Sequence, residues 1–292
     1  VELDFVFSTI VFSSNAFFLS TLLTRRESKS ISFILVKFNS PSASRYDNLP
    51  KLARNLVRQK TKKSFHGLYD YVQINSAYSS SRMASNRLTR NQVESIFRKG
   101  KVRESFEPMK VSDLIEVMNH CVCMDYVLDH LEKPLSVKFI KTLHYLLMYG
   151  TVDARMERVT PGEYRNSLSN RQEAFIAPAD KINEKLIRLI DMYERLDEVD
   201  RRDILDFHVQ FERISPFEDG NGRIARAITD MLLAKSENSP NRFYSMSSQI
   251  QKNRKVEICA FDGSRWLRVA ATLVRDDRLE AKEHMLQAYP HL

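Results

Sequence analysis

The fold can be inferred from one segment, residues 211–226, which reads Phe-Glu-Arg-Ile-Ser-Pro-Phe-Glu-Asp-Gly-Asn-Gly-Arg-Ile-Ala-Arg. Pro216 predicts the end of one helix, because proline lacks the backbone N–H that a helix interior needs. Beyond Asn221 the apolar residues recur at helical spacing, at Ile224, Ile228, Met231 and Leu232. A second helix is therefore predicted to begin at the glycines. Backbone N–H groups at a helix N-terminus, aided by the helix dipole, favour a bound anion.

The side chains around this turn suit a chain of phosphates. Gly220 and Gly222 let the backbone turn tightly and approach a ligand without obstruction. Arg223 and Arg226 are three residues apart, hence on one helical face, and both are expected to reach a polyphosphate. Asp219 offers a hard oxygen ligand for a magnesium ion shared with phosphates. The alternative is a glycine turn whose arginines form surface salt bridges, and the flanking aspartate and arginines argue against it.

The rest of the chain predicts an all-α protein. Seven glycines and nine prolines are too few for the many tight turns of a β-sandwich or barrel. Helical periodicity starts near residue 65, and Ser136 is predicted to cap a helix that stops at Gly150. The periodicity lapses between residues 151 and 178, where a short β-hairpin is expected near Phe175 and Ile176.

Residues 1–64 are predicted to be an extension and linker. Residues 5–23 carry no charge and are about long enough to cross a bilayer, but seven serine, threonine and asparagine residues dilute them. A weak membrane anchor, an ordered extension packed on the body, and upstream sequence with no structural role are the three alternatives. Residues 65–280 are predicted to form the functional domain and residues 281–292 a C-terminal tail.

The charge distribution argues against a nucleic-acid partner. The formal net charge is +8, but residues 1–66 hold eleven Lys/Arg and four Asp/Glu and so account for +7 of it. A nearly neutral body does not provide the basic surface that nucleic acids require. Three cysteines without metal-binding spacing suit a reducing compartment, so a cytoplasmic protein is expected. Membrane association is the weaker alternative.

Residues 211–226 resemble the core motif of the Fic family, His-Pro-Phe-x-Asp/Glu-Gly-Asn-Gly-Arg-x-x-Arg. Eight positions match, namely Pro216, Phe217, Asp219, Gly220, Asn221, Gly222, Arg223 and Arg226. Residues 161–165, Pro-Gly-Glu-Tyr-Arg, are similar to the run before the family's target-positioning flap. The resemblance covers about residues 65–275 and implies the Fic fold, a helical bundle with a short β-hairpin flap.

The resemblance also implies an activity, the transfer of AMP from ATP to a hydroxyl of a target protein. In the family the motif acid holds Mg²⁺, the Gly-Asn-Gly backbone binds phosphates and both arginines grip the polyphosphate. These roles fall on Asp219, on residues 220–222, and on Arg223 and Arg226. Gly222 leaves room for the binding mode of AMP transfer, whereas related Doc kinases typically have lysine there. Whether the target is another protein or the chain itself stays open, and so does the existence of a homodimer.

The first departure from the family motif is Ser215, which stands where the family has its catalytic histidine. A neutral imidazole can accept the target hydroxyl's proton near pH 7, and a serine hydroxyl cannot. His208 is the nearest alternative in sequence, but on the preceding helix it is expected to be a core residue. Two hypotheses result: a protein adenylyltransferase with weakened chemistry, or a catalytically silent ATP-binding protein.

The second departure lies in residues 79–86, which resemble the family's inhibitory helix, Ser/Thr-x-x-x-Glu-Gly/Asn. Ser80 matches the first position, but Ala84 replaces the glutamate and Ser85, followed by Asn86, occupies the Gly/Asn position. In the family this glutamate pairs with the second motif arginine. Since alanine cannot form that pair, Arg226 is expected to be free for ATP.

Overall fold

The structure is a computed structural model of the chain, and it describes residues 49–62, 66–101, 109–166 and 176–236, together with two short strands. The strands, β1 (Phe12–Ser13) and β2 (Ala16–Phe17), form an antiparallel pair. They belong to a unit of their own, Val1–Arg45, whereas Tyr46–Leu292 forms the second unit. Over the described residues, no helix has the length and apolarity needed to cross a bilayer.

The second unit is helical wherever it has regular structure in the described ranges. Its helices are α1 (Lys51–Lys62), α2 (Leu68–Met83), α3 (Arg90–Lys99), α4 (Val111–Asp129), α5 (Val137–Met148), α6 (Val152–Arg155), α7 (Ile182–Glu194), α8 (Arg201–Ile214) and α9 (Asn221–Lys235). A short 3-10 turn, Ala179–Lys181, leads into α7. The prediction of an all-α fold is therefore confirmed.

Helix α9 lies at the centre of the main hydrophobic core. Twelve of its fifteen residues are buried, and α1, α2, α4, α5 and α8 all pack against it. Such all-round burial indicates a helix enclosed by neighbours rather than one with a solvent face. A smaller cluster fills the space between α2, α3 and α4, and it contains Ile74, Ala77, Leu88, Val93, Ile96 and Val117. Within the described ranges, α9 is therefore enclosed by five other helices.

The helix ends follow the local sequence signals. Ser136 accepts a hydrogen bond from the Phe139 N–H at 3.2 Å, as predicted for the cap of α5. Asp200 caps α8 and forms a reciprocal capping box with Asp203. Such caps satisfy N–H groups that have no partner within the helix, which is why they can be recognised from sequence alone.

The predicted linker is corrected in part by the structure. Residues 51–62 form α1, and Leu52, Ala53, Leu56 and Val57 of that helix belong to the main core. The four residues fall on one face because they recur at helical spacing among basic and polar residues. The predicted hairpin near Phe175 and the predicted tail at 281–292 lie outside the described residues.

Candidate functional site

The motif turn begins and ends with residues in left-handed backbone conformation. Ser215 ends α8 with φ 45°, and Gly220 precedes α9 with φ 80°. A Cβ on Gly220 would lie 3.1 Å from a methyl of Leu147, so both the conformation and the space require glycine. The sequence therefore located the turn correctly, and α9 begins at Asn221 as predicted.

The side chain of Asn221 closes the turn instead of pointing towards a ligand. Its Oδ1 accepts from the Phe217 N–H at 2.8 Å, and its Nδ2 donates to the Phe217 carbonyl at 2.6 Å. Both hydrogen bonds are buried. What Asn221 can offer to an anion is thus its backbone, together with that of Gly222, at a helix start that carries no capping side chain.

His144 of α5 packs against the motif turn and supports it, a role that sequence reasoning missed. Its ring stacks on Phe217 with centroids 3.8 Å apart and planes 4° apart. Nδ1 accepts from the Gly162 N–H at 2.9 Å, so Nε2 carries the hydrogen and donates to the Asp219 carbonyl at 3.2 Å. Burial lowers the pKa of His144 to about 4, so the ring is neutral. Only the contacts reveal this role, because a single histidine on an apolar helix face is no signal in sequence.

Arg165 is the second support of the turn. It is fully buried, and its Nε donates to the Ser215 carbonyl at 2.8 Å. Its Nη2 donates to the carbonyls of Ala177 and Ile214. Arg165 is the last residue of the 161–165 run, and its guanidinium binds both Ala177 and the end of α8. The motif turn therefore lies next to the segment that leads into residues 167–175.

Arg223 lies at the first turn of α9 between two carboxylates. Nη2 is 2.8 Å from Asp219 Oδ2, one helical turn earlier in the chain, and Nη1 is 3.7 Å from Glu116 Oε2 on α4. The Arg223 side chain is 5% exposed and that of Asp219 is 49% exposed. Burial raises the pKa of Glu116, and Arg223 partly offsets that rise. Sequence analysis found Asp219 and Arg223 but missed Glu116.

Arg226 is buried and is not free, contrary to the expectation from Ala84. Its Nε donates to Ser80 Oγ at 3.2 Å, and Nη2 donates to the Ser80 carbonyl at 3.4 Å. The contact comes from the helix that resembles the family's inhibitory helix, but from Ser80 rather than from position 84. Arg226 is therefore attached to α2 through Ser80, although position 84 is alanine.

The space beside Gly222 is occupied by the protein's own side chains. A Cβ at Gly222 would lie 2.9 Å from Arg226 Nη1 and 3.3 Å from Glu212 Oε1. Distances this short require a neighbour to move. The absence of a side chain at Gly222 thus lets the Arg226 guanidinium fold back across the start of α9.

The segment that resembles the family's inhibitory helix is the end of α2 and the turn after it. Ser80 is within the helix, Ala84 is its C-cap, and Ser85 has φ 70°. The Asn86 N–H bonds to the Ser81 carbonyl at 3.0 Å, the hydrogen bond that closes a Schellman motif. The position of Ser85 is one that glycine or asparagine adopts more readily, which is the physical reason for the family's preference there.

Two further histidines are buried near the arginines. His208 is a core residue, as expected, with Nδ1 2.8 Å from the Thr229 hydroxyl. His120 of α4 is also buried, and neither of its ring nitrogens has a hydrogen-bond partner among the described residues. It lies one helical turn beyond Glu116, on the side of α4 that faces Arg223. Burial is the main cause that lowers the pKa of His120, and the positive charges of both motif arginines lower it further.

Because of its buried histidines, the protein is expected to have a lower free energy of unfolding in mild acid. Burial is the main cause that lowers the pKa of His120, His144 and His208, to about 3, about 4 and about 3. Because histidine in the unfolded chain has a pKa of about 6.5, the unfolded state binds more protons below that pH. The stabilising effect is complete above pH 6.5 and declines towards pH 4, by on the order of 1 kcal/mol per pH unit for each histidine.

Urea unfolding at pH 7.5, 6.0 and 5.0 measures this slope. The carboxyl groups of Glu116 and Asp125, whose pKa values burial raises, change stability in the opposite direction. The variant His120→Phe isolates the histidine contribution, since it should flatten the slope by about a third if the three histidines contribute equally. An unfolding free energy independent of pH between 7.5 and 5.0 would contradict the prediction.

This combination of a central buried helix, a left-handed glycine before it and arginines on its first two turns defines a helical domain built around a candidate anion site. Residues 134–233, from before α5 into α9, match the Fic/DOC family model. This part of the chain is a Fic/DOC-family domain. No curated protein matches the chain in sequence.

Solved structures of Fic proteins share the fold. One is a Fic domain containing signaling protein from Bacteroides thetaiotaomicron, with a TM-score of 0.59, 18% identity, and coverage of 82% of this chain and 98% of that one. Another is a Fic family protein from Desulfovibrio desulfuricans, with a TM-score of 0.59, 20% identity, and coverage of 84% and 77%. A fragment of Fic-1 from C. elegans has a TM-score of 0.57, 16% identity, and coverage of 82% and 73%. At these identities the likeness establishes the fold.

Proposed function

We propose that the domain binds the triphosphate of ATP at the start of α9 and transfers AMP to a protein hydroxyl, at a rate limited by Ser215. The observation that carries the proposal is Arg223, a buried guanidinium on the first turn of a helix whose N-terminus has no capping side chain. Its Nη1 has no hydrogen-bond acceptor among the described residues. Phosphate oxygens would supply one, and guanidinium groups bind them with charge-assisted hydrogen bonds.

Two further features fit a phosphate ligand. The unpartnered ring nitrogens of His120 lie on the α4 face next to the arginines, and a neutral imidazole can donate one hydrogen bond there. No N-cap side chain competes with a phosphate for the N–H groups of the first turn of α9, because the N-cap residue is Gly220. The site thus combines helix-terminal amides with two guanidinium groups, a common arrangement for polyphosphates.

Magnesium fits the site only as an ion shared with the ligand. No cluster of three or more His, Cys, Asp or Glu side chains suited to a metal occurs in the described ranges. Asp219 is half exposed and would supply one oxygen, with phosphates and water completing the coordination that Mg²⁺ prefers. Asp219 must then exchange its contact with Arg223 for the ion. Bound there, the ion would neutralise charge that develops on the phosphates.

The chemistry follows from the position of Ser215. In AMP transfer the target hydroxyl oxygen bonds to the α-phosphorus, the bond to the bridging oxygen breaks, and pyrophosphate leaves. The hydroxyl proton needs an acceptor near the end of α8. Ser215 supplies a hydroxyl with no basic lone pair at neutral pH, so the transfer is expected to be slow. Neither His208 nor His144 replaces it, because both rings are buried and hydrogen-bonded.

Ser215 also favours a second candidate function, an ATP-binding protein that transfers nothing. In that case the same phosphate contacts serve recognition alone, and the protein acts through the partner it binds. The two candidates share the nucleotide site and differ only in turnover. They are separated by the histidine substitution described in the Discussion.

Replacing Arg223 with alanine should weaken ATP binding about 10- to 100-fold, because it deletes a charge-assisted phosphate contact and leaves Asp219 and Glu116 to repel the ligand. Isothermal titration calorimetry with ATP and Mg²⁺ measures the change. The matched control is Arg155→Ala on α6, an exposed arginine far along the chain from the motif. An unchanged dissociation constant in Arg223→Ala would show that Arg223 is structural only.

A further inference from the structure

Glu116 is the feature of the site that the motif does not explain. It projects from the second turn of α4, is 20% exposed, and places Oε2 3.7 Å from Arg223 Nη1. On its other side Arg223 contacts Asp219 at 2.8 Å. Both terminal nitrogens of Arg223 therefore face carboxylates of the protein itself. A phosphate that bonds to Nη1 must therefore lie close to Glu116, and one that bonds to Nη2 must displace Asp219.

Asn86 fixes the position of the Glu116 carboxylate. The buried Asn86 amide donates to the Asp113 carbonyl at 2.9 Å and to Glu116 Oε2 at 3.3 Å. The Arg87 N–H donates to Asp113 Oδ2 at 3.2 Å. Three hydrogen bonds thus join the turn after α2 to the first two turns of α4. Glu116 is held in place by a segment that has no direct contact with the ligand position.

The end of α2 consequently acts on both motif arginines. It reaches Arg226 directly through Ser80, and it reaches Arg223 indirectly through Asn86 and Glu116. Both arginines are buried in this arrangement. Displacement of residues 84–88 from α4 would weaken the hydrogen bond to Glu116 and leave that carboxylate free to turn away.

We propose that Glu116 is an acidic lock on the anion site, an intramolecular carboxylate that competes with the ligand's phosphates for Arg223. Asn86 positions the lock, so the turn after α2 controls how readily the site opens. The inference rests on the proposed function, because the competing ligand is taken to be a polyphosphate. Two negative groups next to the same guanidinium repel each other strongly in a half-buried site. Glu116 and a phosphate therefore cannot both lie against Arg223 without a cost in binding free energy.

The test is the isosteric substitution Glu116→Gln, which removes the charge and keeps an oxygen for Asn86. We expect it to tighten the binding of ATP, and of inorganic tripolyphosphate, by about tenfold in calorimetry without Mg²⁺. The matched control is Glu94→Gln on α3, which changes the net charge equally at a carboxylate that pairs with Arg90 and Arg98. Glu116→Asp keeps the charge but retracts it by one methylene, and should give an intermediate affinity.

A second measurement needs no nucleotide. Phenylglyoxal modifies accessible guanidinium groups, and peptide mass mapping reports the rate at Arg223. The lock predicts faster modification of Arg223 in Glu116→Gln, and an unchanged rate in Glu94→Gln. This readout separates the two proposals, because a faster rate without any ATP binding would support the lock and refute the proposed nucleotide site.

The remaining outcomes overturn the lock. If the wild type binds ATP, an affinity that stays the same or falls in Glu116→Gln would mean that Glu116 does not compete with the ligand. An unchanged phenylglyoxal rate at Arg223 would mean that Glu116 does not cover it. If Glu116→Gln fails to fold, Glu116→Asp decides by the same two measurements, since any tightening above the wild-type affinity supports the lock and its absence refutes it.

Discussion

The variant Ser215→His is expected to transfer AMP at least tenfold faster than the wild type, and about 100-fold faster where the imidazole is well placed. A positioned general base contributes roughly 100- to 10,000-fold to a proton-transfer step. An imidazole is half neutral near pH 6.5 and accepts a proton readily, whereas a serine hydroxyl does not. The effect should appear in turnover with little change in ATP affinity.

The backbone at position 215 tolerates this change. Ser215 has φ 45°, and histidine is among the residues that adopt left-handed conformations more readily than most. The Ser215 carbonyl, which accepts from Arg165, is a backbone group and is retained in any variant. The substitution should therefore alter the chemistry at the end of α8 and leave the turn intact.

Transfer of label from α-labelled ATP to the protein itself, or to proteins of a lysate, measures this prediction. Ser215→Ala is the control, and it should match the wild type because the serine hydroxyl supplies no base. Adding Arg223→Ala to Ser215→His should abolish most of the gain. A Ser215→His protein that binds ATP but transfers no more label than the wild type would favour the silent ATP-binding protein.

The variant Arg165→Met is expected to lower the free energy of unfolding by about 4 kcal/mol. Methionine fills much of the space but leaves the carbonyls of Ser215, Ala177 and Ile214 without their buried donors. Each unsatisfied buried group costs about 1–3 kcal/mol. Since domains of this kind are stable by only about 5–15 kcal/mol, the loss would be a large part of the total.

Urea unfolding followed by circular dichroism measures the loss. Arg155→Met on the surface is the control and should be nearly neutral, and Arg165→Lys should recover part of the stability through its remaining donors. A loss below about 1 kcal/mol in Arg165→Met would show that water satisfies the three carbonyls instead. Loss of ATP binding in the same variant would place Arg165 among the residues that position the motif turn.

The motif turn could be predicted from sequence because its determinants are neighbours in the chain. Gly220 is required by its own positive φ, and Asn221 begins α9 because glycine precedes it. Ser136 was recognised as a cap for the same reason, since its partner is three residues away. Asp219 and Arg223 are one helical turn apart, so their proximity was implied once the helix start was known.

Which groups of the protein the two motif arginines contact could not be predicted from the sequence. The absence of glutamate at position 84 suggested that Arg226 is free, but Ser80 binds it from within α2. Glu116 and His120 carried no signal, since a glutamate and a histidine on an amphipathic helix are usually solvated or core residues. Likewise the prediction of a linker does not hold for α1, because its basic residues obscure the four apolar positions that pack in the core.

The amino-acid sequence alone determined that a helix starts at a glycine turn with amides and guanidinium groups suited to phosphate. These properties depend on backbone geometry and on residues within one or two helical turns, where local interactions decide. Only the tertiary structure decided what those groups contact in the folded chain. Arg223 faces Glu116, Arg226 donates to Ser80 and the Ser215 carbonyl accepts from Arg165, because helix packing brings residues that are distant in the chain together. Burying a polar group costs free energy unless it is hydrogen-bonded, which favours these contacts.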